Sequence, residues 1–264
     1  MRSSTESRSA YTVLDSLESG MNAVLFYDSD HILEQFLFHY VESGLRKDEL
    51  VHYWAGIRTI DEVEKKMSDY GIDCDYYRRK DILYFVTYDE MLLVDGRLDP
   101  LNCQRNIFNM MKANQNKNGI RLAAESNWWL LADVFENGLD MEATHEMLPN
   151  NMSVVCTYNI NDLMKYVSIY HLAKLMELHN NTLLANDSSL MLHHEFYSCL
   201  GNCILDALEE SFSYITIVRK KHPRFISDVL LELEMRIGSD MLKLERRVEE
   251  KLAQALRLAG PARA

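Results

Sequence analysis

The sequence predicts an α/β fold with a mostly parallel central sheet and flanking helices, followed by a small α-helical module. Up to about Asn186, short apolar segments rich in β-branched and aromatic residues alternate about five times with amphipathic segments. The apolar segments are nearly continuous, which is typical of strands buried on both faces. After Asn186 the periodicity is helical. We therefore predict a disordered leader at 1–19, an α/β domain at 20–185 and a helical module at 190–259.

The predicted strands are short and are bounded by turn or capping residues. They are 22–27 (NAVLFY), 50–55 (LVHYWA), 82–87 (ILYFVT), 120–124 (IRLAA) and 152–158 (MSVVCTY), with a further short strand at 180–184. Ligands of open parallel sheets bind at the carboxyl ends of the strands. The residues directly after each strand are therefore the first candidates for function.

The predicted helices follow from apolar residues at helical spacing and from capping signals. In the α/β domain they cover 32–44, 59–71, 99–119, 141–147 and 162–179, and in the C-terminal module 190–218 and 225–259. Gly44 is a candidate C-cap. Thr59 and Glu62 have the spacing of a capping box, which predicts the start of the second helix.

Composition and charge exclude several classes of protein. The net charge is −12; residues 187–264 hold 11 basic and 12 acidic residues, which leaves 17 basic and 28 acidic residues, a net of −11, in the rest of the chain. Such acidity argues against direct nucleic-acid binding and against docking on anionic membranes. The sequence has no run of 18 apolar residues that would predict a membrane span. Five scattered cysteines suggest a reducing compartment, so we expect a cytoplasmic protein.

The loop after the first predicted strand lacks the residues of a phosphate-binding loop. It reads Tyr27-Asp28-Ser29-Asp30-His31, without glycine or lysine, and its two carboxylates would repel a triphosphate. The chain also lacks the G-x-G-x-x-G and G-x-S-x-G motifs. We therefore predict a protein that has no cofactor and is not an enzyme.

An acidic residue and two tryptophans follow the fourth predicted strand. Glu125 could be a buried hydrogen-bond acceptor or a general base, and Trp128 could form an apolar wall of a ligand pocket. Alternatively, one tryptophan packs beneath a helix and Glu125 caps that helix. Four further aromatic residues stand at or just after predicted strand ends, where they could complete an aromatic pocket with Trp128: Tyr27, Trp54, Tyr88 and Tyr158. Each of them alone is better explained as a core residue.

The densest group of metal-ligand residue types is His194, Cys199 and Cys203, in the C-terminal module. Ligands four residues apart on a helix can share a zinc ion. We favour the alternative that the cysteines pack in the helical core, because the sequence offers no matching second pair, and we predict no metal site. A redox-active dithiol is a further alternative, although this spacing on a rigid helix is awkward for a disulfide.

Five stretches of the N-terminal body match a known family pattern in order. They are 22–27, 51–54 with the helix at 59–71, 121–128 with Glu125 and Trp128 in register, 141–149 (MEATHEMLP) and 156–158 (CTY). Through them, residues 20–185 resemble the MEDS domain, a sensory domain named after methanogen/methylotroph DcmR-type sensors. Asn22 replaces the opening histidine of the family pattern, and Ala124 replaces its glycine. The resemblance implies a RecA/KaiC-like core without a phosphate-binding loop, which senses a small organic compound.

The C-terminal module has a resemblance of its own. Residues 204–211 and 225–252, with Gly238 at the centre of the second stretch, are similar to a small archaeal output module of the Nitrosopumilus output domain type. This resemblance implies an archaeal protein that combines sensing and output in one chain. We predict a signalling protein whose α/β domain binds a small organic molecule. Residues 190–259 would then relay the signal to a protein partner or through self-association.

The candidate ligand-binding residues are Asn22, Tyr27, Trp54, Glu125, Trp128 and Tyr158. Two other classes of function stay open. One is an enzyme, either a degenerate RecA-like nucleotidase or a hydrolase that uses Glu125. The other is a transcription-associated adaptor that dimerises through its helical tail.

Overall fold

The computed structural model describes residues 10–15, 17, 20–114, 117–143, 150–186, 189–211 and 226–258. The chain divides into two compact units. The first consists of Met1–Ala23 and Ser29–Thr157, and the second of Val24–Asp28 and Tyr158–Ala264. Strand β1 (Asn22–Tyr27) contributes residues to both units. The predicted boundary between 185 and 190 stays a prediction.

A short helix stands where we predicted a disordered leader. Helix α1 (Ala10–Asp15) packs against α2 (Asp30–Arg46), since Tyr11 stacks on Phe36 with 5.6 Å between the ring centroids. Leu14 is fully buried. Burial of apolar side chains explains why this segment is helical although the sequence around it is polar. Residues 1–9, 16, 18 and 19 of the predicted leader lie outside the described residues.

The first unit contains a parallel sheet with the strand order β3-β2-β6-β7. Its strands are β2 (Leu50–Ala55), β3 (Leu83–Thr87), β6 (Ile120–Ala124) and β7 (Met152–Asn159). A separate antiparallel ribbon, which we did not predict, joins β4 (Leu93–Val94) to β5 (Arg97–Leu98). The predicted α/β class with a mostly parallel sheet is confirmed.

Among the described residues, six further helices belong to the first unit, and several of them begin at a capping side chain. They are α3 (Ile60–Tyr70), α4 (Cys74–Arg79), α5 (Tyr88–Leu92), α6 (Pro100–Ala113), α7 (Trp128–Leu131) and α8 (Phe135–Ala143). The predicted capping box of α3 is confirmed: Glu62 N donates to Thr59 Oγ1 at 3.3 Å, and Thr59 N donates to Glu62 Oε2 at 2.9 Å. Of the predicted helix at 141–147, residues 144–147 lie outside the described residues.

Gly44 lies inside α2 and does not end it, so the prediction of a C-cap was wrong. A Cβ at this position would lie 2.5 Å from Cδ of Arg121, whose side chain is buried, so the glycine makes room for that side chain. Arg121 forms an ion pair with Glu49, donates to the Tyr40 carbonyl at 3.1 Å and lies 4.7 Å from the Tyr40 ring. A buried cation is tolerated only with such partners.

The second unit has the strand order β1-β8-β9, in which β8 (Asn181–Asn186) and β9 (Ser189–Leu192) are antiparallel. We predicted a helix from Leu190, whereas a hairpin continues to Leu192 and the helix begins at His193. Residues 187 and 188, between the two strands, lie outside the described residues.

The helices of the second unit include the C-terminal module. They are α9 (Ile160–Tyr166), α10 (Ile169–Glu177), α11 (His193–Ser211), α12 (Ile226–Ile237) and α13 (Met241–Leu258). The single helix predicted at 162–179 is divided, because Ser168 adopts an extended conformation and caps α10. Gly238, at a φ of 51°, separates α12 from α13. Residues 212–225 lie outside the described residues.

None of the helices that the structure describes combines the length and the apolar composition needed to cross a lipid bilayer.

Candidate functional site

The carboxyl ends of β2 and β6 bring Glu125 next to the loop after β2. In the register of these strands Trp54 is opposite Ala124, and Glu125 N donates to the Trp54 carbonyl at 3.1 Å. Gly56 passes so close that a Cβ on it would lie 2.3 Å from the Glu125 carbonyl oxygen. The loop after β2 therefore needs a glycine at this point to close over Glu125.

The buried carboxylate of Glu125 has its acceptor positions occupied by groups from β2 and the following loop. Tyr53 Oη donates to Oε1 at 2.5 Å, and Gly56 N donates to Oε2 at 3.0 Å. Arg58 Nε donates to Oε1 at 2.9 Å, and Arg58 Nη2 makes a second, shorter contact with the same oxygen. Glu125 is 3% exposed. This geometry is that of an acceptor that organises its surroundings, and it leaves little room for a proton to be taken from a substrate.

The same contacts fix the protonation of Tyr53 and Arg58. Burial, together with the charge of Glu125, raises the pKa of Tyr53 well above its ordinary value, so the hydroxyl remains a donor. Burial works against the Arg58 cation, but Tyr53 and Glu125 outweigh it and raise the pKa of Arg58. The site therefore contains a fixed ion pair.

The charged network continues outward from Arg58. Arg58 Nη1 donates to Glu34 Oε1 at 3.0 Å, and Lys66 Nζ lies 3.2 Å from the same oxygen. The Arg58 guanidinium also lies 5.9 Å from the centroid of the Phe38 ring. Charges of both signs thus run from the buried Glu125 to the half-exposed Lys66 on α3.

Four aromatic rings form a cluster beside this network. Tyr88 stacks on Trp128 with 5.3 Å between the centroids, and it meets the Trp54 ring edge-on at 5.7 Å and the Trp129 ring edge-on at 5.8 Å. Trp128 is half-buried, while the other three rings are buried. Gly138 makes room for the cluster, because a Cβ on it would lie 2.7 Å from Trp129 Cγ.

A small enclosed cavity lies beneath these rings. Its volume is about 20 Å³, enough for one group the size of a water molecule. Its lining consists of Trp54, Tyr88, Cys103, Ile107, Leu122, Ala124, Ser126, Trp129, Met141, Glu142 and Cys156. Among the described residues, no acceptor lies within hydrogen-bonding distance of the buried Trp54 Nε1. A buried indole N–H without an acceptor is costly, so this atom favours occupation of the cavity by an acceptor.

The other polar groups around the cavity are paired. Tyr88 Oη and Ser126 Oγ are 2.9 Å apart, and Cys156 Sγ lies 3.2 Å from Glu142 Oε2. Burial raises the pKa of Cys156 and raises that of Cys103 to about 12. Both thiols therefore stay protonated at neutral pH and are poor nucleophiles.

The structure brings three of the six predicted site residues together. Trp54 and Glu125 are in direct backbone contact, and Trp128 joins Trp54 through Tyr88. Asn22 does not join them, because it is the first residue of β1 and follows Met21, whose carbonyl accepts from Val154 N near the start of β7. Asn22 therefore lies at the amino end of the sheet, whereas Glu125 follows the carboxyl end of β6.

Tyr27 and Tyr158 are both buried, in the second unit. The ligand-binding role of all six residues stays a prediction. Sequence reasoning missed Tyr53, Arg58 and Glu142. Arg58 is the third residue after a predicted strand, so the rule that selected Glu125 could also have selected it.

The loop after β1 carries negative charge at the start of α2, as its sequence predicts. Ser29 is the N-cap of α2, but its side chain makes no capping hydrogen bond, and Asp30 places a negative charge in the first turn. An anion would bind at this helix terminus only against that charge. The absence of ATP hydrolysis stays a prediction.

The predicted metal-ligand candidates occupy α11. Cys199 is partly exposed and Cys203 is buried. The side chain of His194 lies outside the described part of the chain. The prediction that this group holds no metal stays a prediction.

These features define an α/β protein with a small cavity, lined partly by aromatic rings, at the carboxyl edge of a parallel sheet. The model of the MEDS family, the methanogen/methylotroph, DcmR sensory domain, matches residues 23–180, more than half of the chain. The chain therefore belongs to this family of sensory domains.

Solved structures offer two further likenesses. A KaiC-like protein from Pyrococcus horikoshii OT3 is 12% identical, with a TM-score of 0.47 over 66% of this chain and 76% of its own. A second protein from Pyrococcus horikoshii OT3 is 15% identical, with a TM-score of 0.49 over 69% of this chain and 90% of its own. A comparison with curated proteins finds no match.

Proposed function

We propose that this chain is a non-enzymatic sensory protein that binds a small organic molecule beneath the aromatic cluster of Trp54, Tyr88, Trp128 and Trp129. The observation that carries the proposal is the buried indole N–H of Trp54, which has no acceptor among the described residues, in a residue that lines the cavity. Membership of a sensory family supports the general role. The cavity walls support a ligand with an apolar body and one hydrogen-bond acceptor.

The size of the cavity limits how such a ligand enters. A volume of about 20 Å³ admits only a water-sized group, so a larger molecule needs side chains to move. Trp128 is the half-buried ring of the cluster and belongs to α7, a helix of four residues. Displacing Trp128 from Tyr88 exposes the ring that covers the cavity. We therefore assign Trp128 the role of an entry gate.

The occupied acceptor positions of Glu125 support binding over catalysis. A general base has to reach the proton that it removes, whereas both oxygens of Glu125 already accept hydrogen bonds from Tyr53, Gly56 and Arg58. In the proposal Glu125 fixes the position of the loop after β2. This position in turn holds Trp54 against the cavity.

The relay to the C-terminal module rests on Glu177, at the end of α10. Its carboxylate accepts from Tyr197 Oη of α11 at 2.6 Å, from Ser227 N at 3.1 Å and from Ser227 Oγ of α12 at 2.5 Å. One side chain therefore ties three helices of the second unit. A displacement of α10 on ligand binding would be transmitted to α12. Such a shift requires different ligand affinities in the two states.

The finer parts of the proposal come from the sequence. They are the output role of residues 190–259, their similarity to the Nitrosopumilus output domain type, an archaeal source, a cytoplasmic location, and a protein partner or self-association through this module. The output role predicts that removal of residues 190–259 leaves ligand binding intact and abolishes partner binding.

The test uses the full chain and a panel of small organic compounds that carry one acceptor, with binding measured by calorimetry. Trp54→Phe keeps an aromatic side chain, although a smaller one, and removes the N–H, so we expect at least a tenfold loss of affinity, which corresponds to about 1.4 kcal/mol. Phe108→Ala, at an exposed position on α6, is the matched control and should bind normally.

Three results would overturn the proposal. They are the absence of binding by any compound of the panel, unchanged affinity of Trp54→Phe, and ATP turnover that is lost in Glu125→Gln. Unchanged affinity of Trp54→Phe would show that the ligand does not bind in the cavity. Turnover would show that the protein is an enzyme.

A further inference from the structure

The two cysteines of α11 form a pair that the proposed sensory site does not use. Cys199 and Cys203 stand one helical turn apart, so their side chains lie on the same face of the helix. Cys203 is 6% exposed, and α11 packs against α13 in the same unit. Cys199 is partly exposed, so one side of the pair is accessible to a solute.

The helical spacing disfavours a disulfide between them. Side chains at positions i and i+4 have Cβ atoms about 5–6 Å apart. A disulfide needs Cβ atoms about 3.5–4.5 Å apart and sulfur atoms about 2.05 Å apart. A single bridging atom fits better, because two bonds of about 2.3 Å to sulfur hold the sulfurs roughly 3.5–4 Å apart. Two thiols whose Cβ atoms are about 5–6 Å apart can reach that separation.

The ionisation of the two thiols also supports a single atom that bridges both sulfurs. The neighbouring Cys203 lowers the pKa of Cys199 to about 7, although burial works against the shift, so the thiolate is well populated at neutral pH. The neighbouring Cys199 and burial both raise the pKa of Cys203. Among the other cysteines, burial raises the pKa of Cys74 to about 11. The thiolate therefore concentrates at Cys199.

We propose that Cys199 and Cys203 form a binding site for a trivalent thiophilic metalloid, of which arsenic(III) is the representative. Soft thiolate ligands select soft ions of this kind. The two sulfurs occupy two of the three coordination positions of arsenic(III). The third position holds an organic group or a hydroxide on the accessible side of Cys199.

The reaction is a ligand exchange without a change of oxidation state. An organoarsenous acid, RAs(OH)₂, loses its two As–O bonds and gains two As–S bonds. The two thiol protons leave with the two hydroxides as two molecules of water. Arsenic stays trivalent, and no oxidant or reductant is needed.

The test treats the reduced full chain with one equivalent of phenylarsine oxide, followed by intact-protein mass spectrometry and peptide mapping. We expect one adduct that gains a phenylarsenic group and loses two hydrogens, located on the peptide that contains both cysteines. A dithiol such as 2,3-dimercaptopropanol should remove it, whereas excess 2-mercaptoethanol should not, because only a two-sulfur adduct resists a monothiol.

Cysteine variants decide whether the pair is the site. Cys199→Ser, at a partly exposed position, should fold normally and form at least tenfold less adduct, and Cys203→Ser should behave alike. Cys74→Ser is the matched control and should form the adduct fully. An adduct retained in folded Cys199→Ser would overturn the proposal. So would an adduct mapped to Cys103 and Cys156, or ready formation of a Cys199–Cys203 disulfide with diamide.

Discussion

The hydroxyl of Tyr53 on β2 donates a 2.5 Å hydrogen bond to the Glu125 carboxylate, which follows the neighbouring strand β6. Arg58 joins the pair, since Nη2 donates to Tyr53 Oη at 3.0 Å and Nε donates to Glu125. A phenol, a carboxylate and a guanidinium therefore form one buried unit at the carboxyl edge of the sheet. Removing one member deprives the other two of one hydrogen-bond partner each in a region with little water.

Replacement of Glu125 by glutamine should destabilise the protein by about 2–4 kcal/mol, because Arg58 then loses the buried counter-charge and Tyr53 its charged acceptor. Urea denaturation of the full chain measures this change. The matched control is Glu42→Gln, which breaks an exposed pair with Arg46 and should cost less than about 1 kcal/mol. Equal effects of the two variants would contradict a buried role for Glu125.

Two glycine-to-alanine substitutions should have opposite signs. At Gly56 the new Cβ would lie 2.3 Å from the Glu125 carbonyl oxygen, so we expect a loss of about 2–3 kcal/mol. At Gly201, inside α11, the nearest atom would be Ile226 Cδ1 at 3.6 Å, which is an ordinary contact. There alanine should stabilise the protein by about 0.5–1 kcal/mol through helix propensity. Thermal unfolding of both variants shows whether each substitution raises or lowers the stability. An alanine at position 56 that does not lower the stability would contradict the close approach of Gly56 to Glu125.

His52 should make the protein less stable in mild acid. Burial lowers the pKa of His52 from 6.5 to about 4, so as the pH falls below 6.5 the unfolded chain takes up a proton before the folded chain does. Stability from this residue is therefore complete above pH 6.5 and is lost as the pH falls from 6.5 to about 4. The difference amounts to roughly 3 kcal/mol at most.

The test compares His52→Phe with the unchanged protein at pH 7 and pH 5. Phenylalanine preserves the stacking on Tyr84, whose ring centroid lies 5.0 Å away, and removes a buried Nε2 that has no partner among the described residues. The variant should lose less stability than the unchanged protein between the two pH values. Parallel losses in both would exclude His52 as the titrating group.

Tyr197→Phe should weaken the junction between α10, α11 and α12. Its hydroxyl donates to Glu177 and also accepts from Ile226 N at 2.8 Å, so its removal takes away the acceptor at the start of α12. We expect a loss of about 1–2 kcal/mol and faster hydrogen exchange at the amides of Ile226 and Ser227. Tyr166→Phe, at an exposed position, is the control and should change neither quantity.

The strands of the parallel sheet were predictable because burial on both faces leaves nearly continuous apolar segments. The segments at 22–27, 50–55 and 120–124 coincide with β1, β2 and β6. The ribbon of β4 and β5 was missed, since two-residue strands have no periodicity to detect. The hairpin of β8 and β9 was missed for another reason: an apolar segment of four residues fits a helix start as well as a strand.

The candidate site was predictable only in part. Glu125 and Trp128 were found from their position after a strand, a property that the sequence carries. The contacts of Glu125 with Tyr53 and Arg58 depend on β2 lying next to β6, and the sequence does not reveal strand order. The cavity depends on how aromatic rings tilt against each other, which no spacing rule predicts.

The pairing of Gly44 with Arg121 has a consequence for the history of this family. Because a Cβ at 44 would strike the Arg121 side chain, a mutation at either position alone leaves a clash or an unfilled hole. The two positions should therefore change together. Related domains with alanine or a larger residue at 44 should carry a shorter, uncharged residue at 121, and should also have lost the acid that Glu49 supplies here.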